Sequence, residues 1–383
     1  MLAAAAPSRP TCTSAGLLEG QRWDLAAVPS LLASISTSSS SHITTAALAP
    51  DASAVAAADR HKLRVFRLQR QQQEDGHSNE VAVTRVKLQQ QLGAPVVSCT
   101  FSSDSSTVFA VTGAGRVVAV DAATGEVLAS QQLTAAASGK AAGGKKQQQQ
   151  WCSSLAWALP SATAMAASPD GQLLAVATAS GVELLSAAAG SSLLQPLRQL
   201  SLLGEPSVIT AVQFNPTSKV VAVATAANSF AAYETDSGLP TQWSLQHQEV
   251  VGELMLKLPG SIAGLSFQPC AKGQEGAASV LAYSPGGLCH IDMDQPLLPH
   301  QEGVQFTGGS SKQRRKMRHK MGPGAARHDA ASASGRNGRL LKLEDSCLLV
   351  GHCSRSEVVL VEQAWQEVLQ ALLPPVYRQR YGR

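Results

Sequence analysis

Apolar residues along this chain fall into short runs that recur in one order. An alternating run ends in Pro or Asp, a nearly continuous apolar run follows, and a tight turn leads to a third run. Alternation with period two marks a strand with two distinct faces, and short apolar runs bounded by turn residues are buried strands. The clearest unit starts at Ile43, reaches Pro50-Asp51, continues through 54–58, turns at 59–61 and leaves through 63–68. A second places Val97, Cys99 and Phe101 on one face, passes Asp104, runs through 108–111, turns at Gly113-Ala114-Gly115 and returns over 117–120.

Four further units are less regular. In the third, Leu155-Ala156-Trp157 is read as the first strand, ahead of Pro169-Asp170-Gly171 and the runs 173–176 and 182–185. The fourth alternates through Val208, Thr210, Val212 and Phe214 to Asn215-Pro216, then 220–224, a turn near Asn228, and 230–233. The fifth has Ala263, Leu265 and Phe267 before Pro269, then 280–283, Pro285-Gly286-Gly287 and 288–291. The sixth, without the leading Pro, has 347–350 and 358–361. Six such hairpins at a period of about 40 to 50 residues predict an all-β, WD-repeat-like propeller of seven blades, with residues 23–35 supplying outer strands of the last blade.

Two stretches interrupt the period. Residues 135–150 hold Gly/Lys spacers and a glutamine run, and 308–339 are rich in Gly, Ser, Ala and basic residues. Neither can bury enough apolar area to offset the entropy of ordering it, so both are expected as flexible surface insertions. The domain plan is a low-complexity N-terminal segment, 1–41, followed by the propeller, 42–383.

Composition narrows the class. Seven cysteines without CxxC pairs point to neither a zinc site nor a disulfide framework, and fit a reducing compartment. The sequence predicts neither secretion nor a membrane span. The Ala/Ser-rich opening has the composition of a transit peptide, but Glu19 and Asp24 interrupt it.

Charge is local. The formal net charge is +4, yet residues 312–342 carry ten Lys/Arg against Asp329 alone, a net +9 on a body of −5. The run Lys312, Arg314, Arg315, Lys316, Arg318 and Lys320 is the sharpest motif in the chain. Clustered cations on a loop bind phosphate backbones by releasing counterions. A nuclear or nucleolar localisation signal and a solvated charge run are the competing readings.

Catalytic signatures are missing: there is no GxSxG elbow, no Walker loop, and Gly113-Ala114-Gly115 lies in a strand-to-strand turn. The nine histidines are scattered, so neither metal nor cofactor is expected. Gly351-His352 matches the Gly-His of WD repeats, but no Trp-Asp follows it and its place in the unit is wrong, so it reads as incidental. The C-terminus reads as a strand, then a short amphipathic helix over 364–373 stopped by Pro374-Pro375, then a basic tail with Tyr377, Arg378, Arg380 and Tyr381. Capping of the last blade and partner binding both remain open for it.

The final strand Glu357-Val358-Val359-Leu360-Val361-Glu362, the Leu373-Pro374-Pro375 break and the ending Arg378-Gln379-Arg380-Tyr381-Gly382 resemble cirhin-type WD-repeat proteins of the small-subunit processome. So do the early unit and the basic insert. The resemblance spans about 42–383 and is strongest at the two ends. It implies the second ring of a tandem propeller: a non-catalytic scaffold of a nucleolar ribonucleoprotein in ribosome biogenesis, acting in pre-ribosomal RNA transcription and processing. Its implied partners are other processome propeller and helical-repeat proteins and pre-ribosomal RNA or a small nucleolar ribonucleoprotein. The RNA- or partner-binding residues would be the six cations of the basic run with Tyr377, Arg378, Arg380 and Tyr381. Rival readings are a propeller adaptor of another pathway, such as a ubiquitin-ligase substrate receptor or chromatin reader, and a propeller enzyme.

Overall fold

The computed structural model describes residues 33–35, 42–59, 62–72, 79–90, 92, 94–133, 162–178, 181–190, 192–200, 202–203, 207–270, 279–294, 338–343, 345–354 and 357–363. They form a β-propeller of antiparallel sheets, each taken from one continuous part of the chain. Sheet 1 contains β1 (Ile43–Leu48), β2 (Ala54–Asp59), β3 (Leu63–Gln72) and β4 (Asn79–Val86). Sheet 2 contains β5 (Val96–Phe101), β6 (Thr107–Thr112), β7 (Arg116–Asp121) and β8 (Val127–Gln132). Sheet 3 contains β9 (Ala162–Ala167), β10 (Leu173–Thr178), β11 (Gly181–Ser186) and β12 (Pro196–Leu200). Sheet 4 has three strands, β13 (Ile209–Phe214), β14 (Val220–Thr225) and β15 (Phe230–Glu234), followed by helix α1 (Gln242–Leu256). Sheet 5 contains β16 (Gly264–Phe267), β17 (Ser279–Ser284), β18 (Gly287–Asp292) and β19 (Gly338–Lys342), and sheet 6 contains β20 (Ser346–His352) and β21 (Val358–Gln363).

The second strands explain the stacking. In β6, Val108 and Ala110 face sheet 1 beside Ala56 and Val65, while Phe109 and Val111 face sheet 3 beside Leu174 and Val176. In β10, Ala175 and Ala177 turn to sheet 4, meeting Ile209, Phe214 and Tyr233. Consecutive residues therefore enter different cores, which is why these strands read as continuous apolar runs. The first strand of each sheet packs on the first strand of the next: β1 on β5, β5 on β9, β9 on β13, β13 on β16 and β16 on β20.

These innermost strands share a device the sequence reading missed. The second residue of β1, β5, β9 and β13 is bulged, at Thr44, Val97, Thr163 and Thr210. A bulge leaves one residue unpaired and sharpens the local twist. The Thr44 hydroxyl reaches the Ala58 carbonyl at 3.1 Å and the Val96 carbonyl of sheet 2 at 3.0 Å. Thr210 reaches the Ala224 carbonyl at 3.4 Å. Thr163 Oγ1 is buried and has no hydrogen-bond partner.

The Pro-Asp signatures are turns joining first and second strands. Ser102, Ser168 and Asn215 each hold the first amide of the returning strand, accepting from Thr107, Leu173 and Val220 at 2.9, 2.8 and 3.0 Å. The third or fourth turn residue adopts positive φ, at Ala52, Ser105, Gly171 and Ser218. Ser105 Oγ then accepts from the Asp51 amide, and Ser218 Oγ from the Asp170 amide, tying each turn to the preceding sheet's turn. Glycine is required at Gly125, where φ is +73° and an added Cβ would lie 2.5 Å from the Lys87 carbonyl oxygen.

Several expectations need correcting. The first strand of sheet 3 is β9, not 155–157, which lie outside the described residues; four alanines and a threonine around Met165 give β9 too weak an alternation to read. The run 347–350 takes the innermost position of its sheet, against β16, rather than the second. The basic insert, expected to reach residue 339, ends by 337, because Gly338 and Arg339 already pair with Ile291 and His290. Helix α1 was not anticipated. It stands where sheet 4 would have a fourth strand, and Ser244 Oγ accepts from the Ala232 amide at 2.8 Å and donates to the Ala232 carbonyl at 3.1 Å, satisfying the edge of β15. Val251, Leu254 and Met255 carry its buried stripe between sheets 4 and 5, joined by Leu258 just past its end. Six sheets are present among the described residues. Of the segment 23–35 expected to complete a seventh blade, 23–32 lie outside them, as does the expected helix over 364–373. On the face of sheet 6 turned from sheet 5, Leu349, Val359 and Val361 are exposed.

The bulged threonines give a test by opposite signs. Val97 shows that the site accepts valine, so Thr163→Val, which removes an unpaired buried hydroxyl, is expected to raise stability by about 1 kcal/mol, whereas Thr44→Val loses a satisfied hydroxyl and lowers it by about as much. Urea midpoints at unchanged m-value check both.

Candidate nucleic-acid interface

The antiparallel order within each sheet decides where the basic insert leaves the body. The chain reverses three times in each four-stranded sheet, and the first and third reversals fall at the same end. The inter-sheet bonds at Thr44–Val96 and Asp51–Ser105 lie at opposite ends of β1 and β5, so the two innermost strands run side by side in one direction. Ser103 Oγ lies beside Gly171, and the Asp170–Ser218 bond joins the turns of sheets 3 and 4, so those reversals share that end. Ser266 and His352, at the far ends of β16 and β20, meet in the same sense.

The insert is the third reversal of sheet 5. It departs after β18 and returns into β19, whose Gly338 pairs with Ile291. Its two anchors are thus neighbours in one ladder, on the end of the propeller that carries the Asp51, Asp104 and Asp170 turns. Lys312, Arg314, Arg315, Lys316, Arg318 and Lys320 lie outside the described residues, as do Tyr377, Arg378, Arg380 and Tyr381. The fold therefore places the roots of the basic run.

Ionisable groups within the body serve packing. Burial pushes the Cys99 thiol up to about 11 and the Cys289 thiol up to about 12, so both are un-ionised and unreactive near neutrality. Among the described residues no three His, Cys, Asp or Glu side chains gather where they could hold a metal ion.

The histidine of Gly351-His352, read as incidental, is a junction. Its backbone amide donates to Ser266 Oγ at 3.0 Å, and its Nδ1 lies 3.0 Å from the same oxygen, joining sheet 6 to sheet 5. Further out in sheet 5, His290 Nε2 on β18 pairs with Ser279 Oγ on β17. No local sequence signal marks this pairing, because Ser266 and His352 are 86 residues apart.

A basic insert between two paired strands of the fifth sheet defines the class: a β-propeller carrying a polycationic stretch on one outer hairpin. A family model described as "Outer membrane protein assembly factor BamB", a propeller-type repeat, matches residues 78–147, from the end of the first sheet through the second. No curated protein matches the chain.

Burial, and then the neighbouring His290, hold His352 below the usual histidine value of 6.5. A histidine so lowered is neutral in the folded state, while the unfolded state takes up protons first. The contribution is fully present above about pH 6.5 and is lost as pH falls through the folded value. Urea midpoints measured between pH 7.5 and 5 should therefore fall less for His352→Gln than for the unsubstituted chain.

Proposed function

We propose that this propeller is a non-catalytic scaffold of a nucleolar ribonucleoprotein assembly, acting in ribosome biogenesis on the transcription and processing of pre-ribosomal RNA toward the small subunit. The observation that carries the reading is the position of the basic insert: seven net positive charges in 312–337, rooted on the outer hairpin of sheet 5. A polycation so placed reaches phosphate backbones without disturbing the sheets, and binds them without reading sequence. The family resemblance at both ends of the chain supports the specific pathway. The matched BamB model supports the propeller-type repeat on which the reading builds. Short loops on rigid sheets present a broad face for several partners at once. Its partners are other propeller and helical-repeat proteins of the processome, together with pre-ribosomal RNA or a small nucleolar ribonucleoprotein. No small-molecule substrate or cofactor enters this reading.

Affinity purification of the tagged chain, with mass spectrometry and RNA sequencing of the eluate, is expected to recover ribosome-assembly factors and pre-ribosomal RNA. Recovery of ubiquitin-ligase or chromatin components in their place would transfer the propeller to an adaptor role in another pathway. Replacing Lys312, Arg314, Arg315, Lys316, Arg318 and Lys320 with Ser is expected to leave circular dichroism and the melting temperature unchanged while reducing nucleolar retention. Undiminished retention would remove the role given to the insert.

A further inference from the structure

Sheet 6 departs from the pattern of the other sheets. The second strands β2, β6, β10, β14 and β17 bury consecutive residues, and so both faces, whereas β21, second in its own sheet, exposes Val358, Val359, Val361 and Gln363. Residues directly opposite in an antiparallel pair share a face. Val350 and Leu360 therefore lie on one face, with Val350 buried against Leu281 and Tyr283 of sheet 5 and Leu360 packed beside it. The pairs Leu349–Val361 and Gly351–Val359 lie on the other, where Leu349 is 53% exposed, Val359 46% and Val361 40%. Leu348, the extra residue of the β20 bulge, is exposed as well. A two-stranded hairpin covered on a single face is marginal in water.

The chain itself holds a segment that fits this face. β21 ends at Gln363, and the sequence after it sets Trp365, Val368, Leu369 and Leu372 at i, i+3, i+4 and i+7, with Gln366, Glu367 and Gln370 on the opposite side. Residues 364–373 lie outside the described residues. A helix of that length is too short to be stable alone in water, so its stripe needs an apolar surface. The tether leaves little choice of surface. The stripe opens two residues past the end of β21, and the other face of sheet 6 is already filled by Leu281 and Tyr283. A helix over 364–373 would span about 15 Å and the strand β21 spans about 20 Å, so a helix laid back along the strand matches the exposed face in length. Gly351 leaves open space on that face, into which helix side chains can settle.

We propose that the exposed face of sheet 6 is the docking site of the chain's own segment 364–373, with Trp365, Val368, Leu369 and Leu372 of a helix set against Leu349, Val359 and Val361. The helix gives the hairpin the second neighbour that the other sheets have. His352 and Val358 stand at the end of the propeller where the insert is rooted, so a helix returning along β21 brings Pro374-Pro375 back to that end. The inference goes beyond the scaffold reading and does not rest on it.

Hydrogen exchange of the full chain, read by mass spectrometry, tests the docking. Amides of 366–373 are expected to exchange at least about tenfold more slowly than a coil, and Val359→Asp/Val361→Asp, which puts charge on the docking face, to return them to the coil rate while β6, β10 and β14 keep their protection. Because that variant can unfold sheet 6, a second one, Trp365→Ser/Leu369→Ser/Leu372→Ser, changes the helix alone and is expected to speed exchange in β20 and β21 by about the same factor. In a chain with Cys353→Ser, the pair Val361→Cys and Leu369→Cys is expected to form a disulfide within one chain under mild oxidation. Coil-rate exchange over 366–373 in the unsubstituted chain overturns the helix. Protection of 366–373 that survives Val359→Asp/Val361→Asp overturns the face as its site. If deletion of 1–41 speeds exchange in β21 and the stripe variant does not, the face belongs to the N-terminal segment. Cross-links between chains, with protection that rises with protein concentration, overturn the proposal in favour of a second copy.

Discussion

The constraint on which the rest of this molecule depends is that its central sheets bury both faces. A sheet with one wet face can stand against a single neighbour, and its strands alternate apolar and polar. Here Val108 and Phe109, adjacent in sequence, face opposite ways and are both fully buried, as are Leu174 and Ala175, and Val221 and Ala222. A sheet of this kind needs a neighbour on each side, and each neighbour inherits the same need. Stacking about a common axis meets it, and the alanines make it compact, since Ala54, Ala56, Ala58 and Ala110 let sheets 1 and 2 approach closely.

With the apolar faces committed to neighbouring sheets, alignment falls to the polar edges. The serines and asparagine at 102, 168 and 215 hold the returning strands, the turn residues 105 and 218 tie one sheet to the one before, and the bulged threonines twist the innermost strands. These bonds are individually modest, about 1 kcal/mol each. Their repetition sets the angle between sheets, and so the direction in which every outer hairpin points. At sheet 4 the same logic takes another form, where one serine hydroxyl on a helix satisfies a strand edge that would otherwise await a partner.

Much of the fold was legible because the second strands of sheets 1 to 5 are continuous apolar runs beside Pro, Asp or Gly, and periodicity detects that pattern directly. The failures occurred where side chains are small or contacts are distant. β9 is nearly all alanine and threonine, so its alternation carries little contrast. Helix α1 did contain an i, i+3, i+4 stripe at Val251, Leu254 and Met255, but Val250 and Leu256 beside it blurred the period. The repeated Ile-Thr at 43–44 and 209–210 was present as a signal for the bulges and went unread. Of the candidate interface, the basic run was plain from charge alone.

The pairing of Ile291 with Gly338 bears on how this protein can change over generations. The two ends of the long excursion are held a strand's width apart by a ladder that exists whatever lies between them. Lengthening such a closed excursion costs little, about 0.6 kcal/mol for each doubling. The segment is thus a cassette whose length and content can drift almost independently of the ring, so selection on a binding partner need not reckon with the stability of the scaffold.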